Sequence, residues 1–385
     1  MTGRPGTASV RSTSVLVATL AIALIVPFGG QARGFDVLYS FAGGNDGAYP
    51  AASVVRDKAG NLYGTTQSGG FDNVGTVFKL TPAGVESVLH SFGTGYDGAY
   101  PTSSLIIDGT TNLDGTAGEG GVNNGGIVFK LTLDGTETIL YSFSGGDGAG
   151  PAAGLVRRAG TLYGTTEFGG TNNDGVVFKL TKDGKESVLH SFSGGSDGGL
   201  PLAGLIMDGV GNLFGTTHFG GQDGSGTVFE IAPGGSEIVL HSFAGGSDGA
   251  YPDGALTLDA SGNLYGTTSI GGASNSGTVF RIAADGTESV LYSFTGGKEG
   301  ADPSCALVID AAADLYGTTP LTETDGDGAV FRLAPDGTIS VLHSFKGADG
   351  ANPEAGLIVD KKGRLYGTTP QGGAHGYGVV FGLRE

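Results

Sequence analysis

The chain has 385 residues, of which 77 are glycine and 15% are charged. A hydrophobic fraction of 38%, with 20 Phe and 13 Tyr, supplies a core and excludes disorder, and glycine without a three-residue period excludes collagen. A formal charge of −18 with no lysine–arginine cluster speaks against nucleic acid or anionic lipid as a partner, and the single Cys305 excludes an intramolecular disulfide and multi-cysteine zinc sites.

The N-terminus reads as a secretory leader. Arg4 and Arg11 precede an apolar run over residues 14–26, and Gly30-Gln31-Ala32 presents small residues at a cleavage site. The run is shorter than the ~20 residues a membrane-spanning helix needs. Residues 1–32 are therefore expected to be removed, leaving residues 33–385 as one exported domain, secreted or periplasmic, without a membrane anchor and monomeric.

A repeat dominates the rest. Leu-Tyr-Gly-Thr-Thr begins at Leu62, Leu162, Leu264, Leu315 and Leu365, with variants at Leu113 and Leu213. Successive spacings are 51, 49, 51, 51, 51 and 50 residues. A Ser-Phe marker recurs seven times, at Phe41, Phe92, Phe143, Phe192, Phe243, Phe294 and Phe345. The first full period carries four strand-like runs, over residues 50–57, 61–66, 76–80 and 86–92, separated by Gly, Pro and Asp punctuation. Four antiparallel strands per period, seven times over, predict an all-β fold: a seven-bladed β-propeller. The chain ends on a third-type run, residues 379–383, and opens after the leader on a lone fourth-type run, residues 35–41. Pairing the two closes the ring and removes its open edges.

The string from Leu62 to Leu80, with Leu-Tyr-Gly-Thr-Thr, then Gly-Gly, then Gly-Thr-Val-Phe-Lys-Leu, resembles the GloVer tandem repeat named for Gloeobacter and Verrucomicrobia. The resemblance covers residues 35–385. It implies an extracellular propeller-like protein and no particular activity. It also implies a C-terminal sorting anchor; no segment of this chain matches one, which favours release.

With the first strand innermost, two loop types share one face, exemplified by residues 42–49 and 67–74. Positions that repeat in every blade are read as structural: Asp46 and its equivalents cap turns, and the Gly64 series relieves crowding or permits a bulge. His90, His190, His241 and His343 share one outer-strand position with tyrosines, which argues for packing. Cys305 is expected to be buried and inert. The informative positions vary. The residue before each inner-strand proline is Tyr49, Tyr100, Gly150, Leu200, Tyr251, Asp302 or Asn352. Tyr49, Tyr100, Tyr251, Asp302 and Asn352 are the candidate ligand-binding set, able to stack on sugar rings and bond their hydroxyls. A second variable pair follows each Gly-Thr-Thr; there Glu119, Glu167 and His218 form a candidate acid–base group. Glu323, Asp325 and Asp327 are a weak calcium candidate, and no other cofactor is expected. The function expected is a binding module for extracellular glycan. The alternatives are a polysaccharide-degrading hydrolase or lyase and a scaffold for an extracellular protein.

Overall fold

The computed structural model describes residues 34–93, 95–109, 112–322 and 326–384. The expected leader, residues 1–32, lies outside them. Seven four-stranded antiparallel sheets make seven blades, each ordered from first strand inside to fourth outside. In the first blade the strands are Val55–Arg56, Leu62–Thr66, Thr76–Leu80 and Glu86–Ser91. The innermost strand is shorter than its sequence run. Pro50 opens that run and has no N–H to give a ladder, so only its far end pairs.

The seventh blade takes its outer strand from the start of the domain. Gly34–Ser40 pairs antiparallel with Val379–Arg384. Arg364 reinforces the closure, donating to Asp36 at 2.8 Å, and Thr368 Oγ1 donates to Ala52 O at 2.9 Å.

The repeated motif has a residue-by-residue account. The Gly of Gly-Thr-Thr faces a phenylalanine on the third strand: a Cβ on Gly64 would sit 2.7 Å from the Phe78 ring, and one on Gly266 2.5 Å from Phe280. The glycine thus relieves crowding, and the bulge falls elsewhere, between Val77 and Phe78 where the third strand meets the fourth. The first threonine ties each blade to the next. Thr65, Thr116, Thr165, Thr216, Thr267, Thr318 and Thr368 each donate a hydroxyl to an inner-strand carbonyl of the following blade, at 2.9–3.4 Å. The Phe of each Ser-Phe marker meets the next blade's third-strand Phe edge to face. Seven such pairs, from Phe41–Phe78 to Phe345–Phe381, have centroids 5.0–5.3 Å apart. Each contributes about 0.5–1.5 kcal/mol beyond its buried area. The core is therefore a ring of seven inter-blade clusters.

The second blade breaks the pattern and repairs it. Asp114 stands where five blades have tyrosine, and it is fully buried. Arg157, from the third blade, forms an ion pair with it and also lies 3.7 Å from Asp108. Arg56 occupies the equivalent place in the first blade and lies over Tyr366 of the seventh.

Cys305 is buried, and burial raises its thiol pKa. Its Sγ accepts from Thr318 N at 3.1 Å, the place Ser103 Oγ takes beside Thr116.

Candidate functional site

The two long loop types share one face. Short antiparallel bridges join them in every blade, Ala48 to Ser68 in the first and Ala351 to Gln371 in the last. The loop acids are structural. Asp46, Asp97, Asp147, Asp197, Asp248, Glu299 and Asp349 each accept a backbone N–H at the loop's start, at 2.6–3.1 Å. Each also meets the outer-strand His or Tyr, such as Tyr39 at 2.9 Å and His343 at 2.9 Å. Tyr and His interchange because both can donate to the same carboxylate.

A glutamate from the next blade joins five of these junctions. Burial, then the neighbouring Asp, pushes Glu86 and Glu186 up to about 7 and Glu137 up to about 9. Ile339 and Phe35 take the glutamate's place in the last two junctions, with Phe35 stacked on His343. Among the described residues, His90–Asp97–Glu137 and His241–Asp248–Glu288 each bring three donor atoms within 4.8 Å, a set that could hold a metal ion. Burial and then the neighbouring Asp raise the glutamate in both sets, and Glu137 also hydrogen-bonds Asp97.

The residues before the inner-strand prolines form a locked ring. Tyr49, Tyr100, Gly150, Leu200, Tyr251, Asp302 and Asn352 all have φ between 52° and 65°. A side chain there, before a proline, costs about 1–3 kcal/mol. Two backbone bonds hold it. Each N–H donates to a loop carbonyl of the preceding blade, Tyr49 to Tyr377 at 3.0 Å and Tyr100 to Val74 at 2.8 Å. In five blades the carbonyl accepts from the first residue of the second variable pair, as Gly150 does from Glu167 and Leu200 from His218. Pro320 and Pro370 lack that N–H. The two variable series therefore lie side by side at the head of the innermost strands.

The ring is not uniform. Tyr49 and Tyr100, on adjacent blades, are 37% and 36% exposed. Tyr251 is less exposed because His218 stacks on it, centroids 4.7 Å apart and planes at 19°. His218 Nδ1 bonds Asp253 Oδ1 at 2.5 Å. Burial raises Glu167, and His218 opposes that rise only when its imidazole is protonated. Burial and the charge of Asp253 raise Asp302; burial and the charge of Asp302 raise Glu354.

Of the sequence candidates, His218 and Tyr251 are in contact, and Glu167 and Asp302 lie near enough to interact electrostatically with His218 and with Asp253. Glu119 does not join them; it bridges Ala99 in the register place of Phe168 and Phe219, and is exposed. Asn352 and Asp327 meet through backbone, Asn352 N to Asp327 O at 2.9 Å. Glu323 and Asp325 lie outside the described residues. Sequence reasoning missed Asp253 and Glu354. Both follow an inner-strand proline, at a position held elsewhere by Ala51, Thr102, Ala152, Leu202 and Ser304. That series varies like the other two, so the same criterion would have found them.

Residues 25–162, 112–308 and 207–385 each match the model of the Gloeobacter/Verrucomicrobia repeat. The chain belongs to this repeat family. Its seven blades also resemble solved structures. The extracellular domain assigned to a one-component system of B. thetaiotaomicron matches 90% of the chain with a TM-score of 0.60 at 11% identity. The match spans 39% of that protein's chain. A Bacteroides uniformis protein assigned as a 6-phosphogluconolactonase matches 80% of this chain and 88% of its own, with a TM-score of 0.52 at 18% identity. Such likeness is one of fold. No curated protein matches the chain. Among the described residues, no helix of this repeat protein is long and apolar enough to cross a membrane.

Proposed function

We infer that this repeat protein is an exported binding module that recognises extracellular glycan through its loop face. One observation carries the reading: the left-handed ring fixes the direction of its side chains, and on two adjacent blades these are the exposed tyrosines Tyr49 and Tyr100. A rigid scaffold presenting aromatic rings beside carboxyl and amide groups suits sugars, whose C–H faces stack and whose hydroxyls accept and donate. Asp302 and Asn352 continue the ring with polar side chains. The leader supports export, and the net charge of −18 disfavours polyanionic glycans.

Affinity electrophoresis through gels containing neutral soluble polysaccharides tests this. Retardation is expected, and Tyr49→Ala and Tyr100→Ala should each weaken it roughly tenfold, about 1.4 kcal/mol of lost stacking. Retardation that survives both substitutions sinks the assignment to this ring. Migration unaffected by any polymer, with a protein partner recovered on the same face, turns the reading to a scaffold.

A further inference from the structure

The blades repeat closely, and one cluster of departures from the repeat among the described residues lies where the third, fourth and fifth blades meet. Three elements converge there. The loop after the third blade's second strand carries Glu167. The same loop of the fourth blade carries His218. The head of the fifth blade's inner strand carries Tyr251 and Asp253. In other blades the place of His218 is taken by Gln67, Gly118, Glu167, Ser269, Pro320 and Pro370.

The imidazole is held on three sides. Its Nδ1 bonds the Asp253 carboxylate at 2.5 Å. Its face lies on the Tyr251 ring, and the Phe219 ring meets it edge to face with centroids 4.2 Å apart. The backbone N–H of His218 is fixed to Leu200 O at 3.0 Å. Side-chain exposures of 21% for His218 and 19% for Asp253 leave the pair reachable from solvent. With Nδ1–H committed to Asp253, Nε2 keeps its lone pair and has no protein partner among the described residues. An imidazole oriented by a carboxylate, with its second nitrogen free at a ligand-facing rim, has the geometry of a general base.

We propose that His218, oriented by Asp253, and Glu167 form a hydrolytic centre that removes acyl esters from the glycan held on the loop face. The proposal rests on the glycan reading above. His218 Nε2 takes a proton from water as the water oxygen bonds to the ester carbonyl carbon. The carbonyl π electrons move onto its oxygen, to which Glu167 donates a hydrogen bond when its carboxyl carries a proton. Collapse of this intermediate breaks the bond between the carbonyl carbon and the sugar oxygen. The leaving alkoxide takes the proton from His218 Nε2. Water is the sole co-reactant, and the products are a carboxylic acid and a sugar hydroxyl. Glu167 suits its part because burial keeps its carboxyl protonated to higher pH than an exposed one. Asp253 is a positioning residue: it holds the tautomer and stabilises the imidazolium.

The test uses the purified full chain with acetylated xylan, scoring acetate release and gel retardation separately. The intact protein is expected to release acetate. His218→Gln and Glu167→Gln should each lower kcat roughly 10²–10⁴-fold while retardation persists. Asp253→Asn should lower kcat with KM unchanged, a split that a purely structural role would not give. Melting curves of the three variants establish that each is folded. Retardation without acetate release overturns this proposal and leaves the glycan reading standing. Acetate release undiminished by His218→Gln and Glu167→Gln overturns the assignment of residues. Absence of retardation by xylan and by the other polymers overturns the glycan reading itself.

Discussion

Arg157→Ala is expected to destabilise the propeller by about 3–5 kcal/mol, because it leaves a charged carboxylate in the core without its partner. Asp114 is fully buried, and Arg157 supplies its countercharge from the neighbouring blade. Urea unfolding followed by tyrosine fluorescence measures the loss. The repeat also prescribes the rescue. Tyr63, Tyr265, Tyr316 and Tyr366 stand at this position in other blades, each donating its hydroxyl to a turn aspartate at 3.0–3.1 Å. The second blade keeps that aspartate as Asp108, which already caps the Asn112 N–H at 3.0 Å. Asp114→Tyr in the Arg157→Ala background should therefore recover most of the stability. A single variant as stable as the parent, or a double variant no better than the single, would refute this account of the pair.

The propeller should also lose stability as pH rises from about 5 to about 9. Burial, then hydrogen bonding and charge from Asp97, lift Glu137 to about 9, and burial with a neighbouring Asp lifts Glu86 and Glu186 to about 7. These acids ionise near 4.5 when unfolded. Between the two values the folded state binds more protons than the unfolded state, so stability falls with pH across that window. The contribution is complete below about pH 4.5 and gone once pH passes the folded value. Asp97 acts in the opposite sense. Burial opposes its ionisation, yet hydrogen bonds from His90, Glu137 and the Gly93 N–H hold it at about 2, so its support is lost only in strong acid, as pH falls from about 4 towards 2. A Tm lower by roughly 5 °C or more at pH 9 than at pH 5 is expected. Glu137→Gln mimics the protonated acid and keeps a donor for Asp97, so it should raise Tm at pH 9 and leave it nearly unchanged at pH 5. A pH-independent Tm, or a variant with the parent's slope, would refute the hydrogen bond that protonated Glu137 gives Asp97.

Much of the architecture was legible because it is local and repeated. Gly64, Thr65, Phe78 and Phe92 do one job in one blade, and their recurrence at fixed spacing displays the job seven times. The complementary ends announced the closure that Gly34–Ser40 and Val379–Arg384 make. The loop acids and outer-strand histidines were also readable in outline, since interchange with tyrosine marks a shared hydrogen-bonding task. The candidate site was half legible. Variation against a constant background picked out Glu167, His218, Tyr251 and Asp302, and the same search omitted the residue after each proline. It also placed Glu119 beside Glu167, although the two hold different register positions.

By itself the sequence determined the blade count, the strand order within a blade, the ring closure and the face that carries the long loops. Periodicity, turn chemistry and strand pairing within a blade act over ~50 residues, so each repeat specifies its own blade, while the number of repeats and the complementary runs at the two ends specify the ring. Tertiary structure alone decided which variable residues meet. His218 reaches Asp253 across 35 positions and Arg157 reaches Asp114 across a blade boundary. Those contacts depend on how one rigid sheet packs against the next, through the Phe–Phe rungs and threonine bonds that set the angle between blades. The left-handed ring is decided in the same way. Gly150 adopts that conformation freely, and Asp302 and Asn352 more readily than most side chains, but the hydrogen bonds offered by the preceding blade are what hold Tyr49, Tyr100 and Leu200 in it.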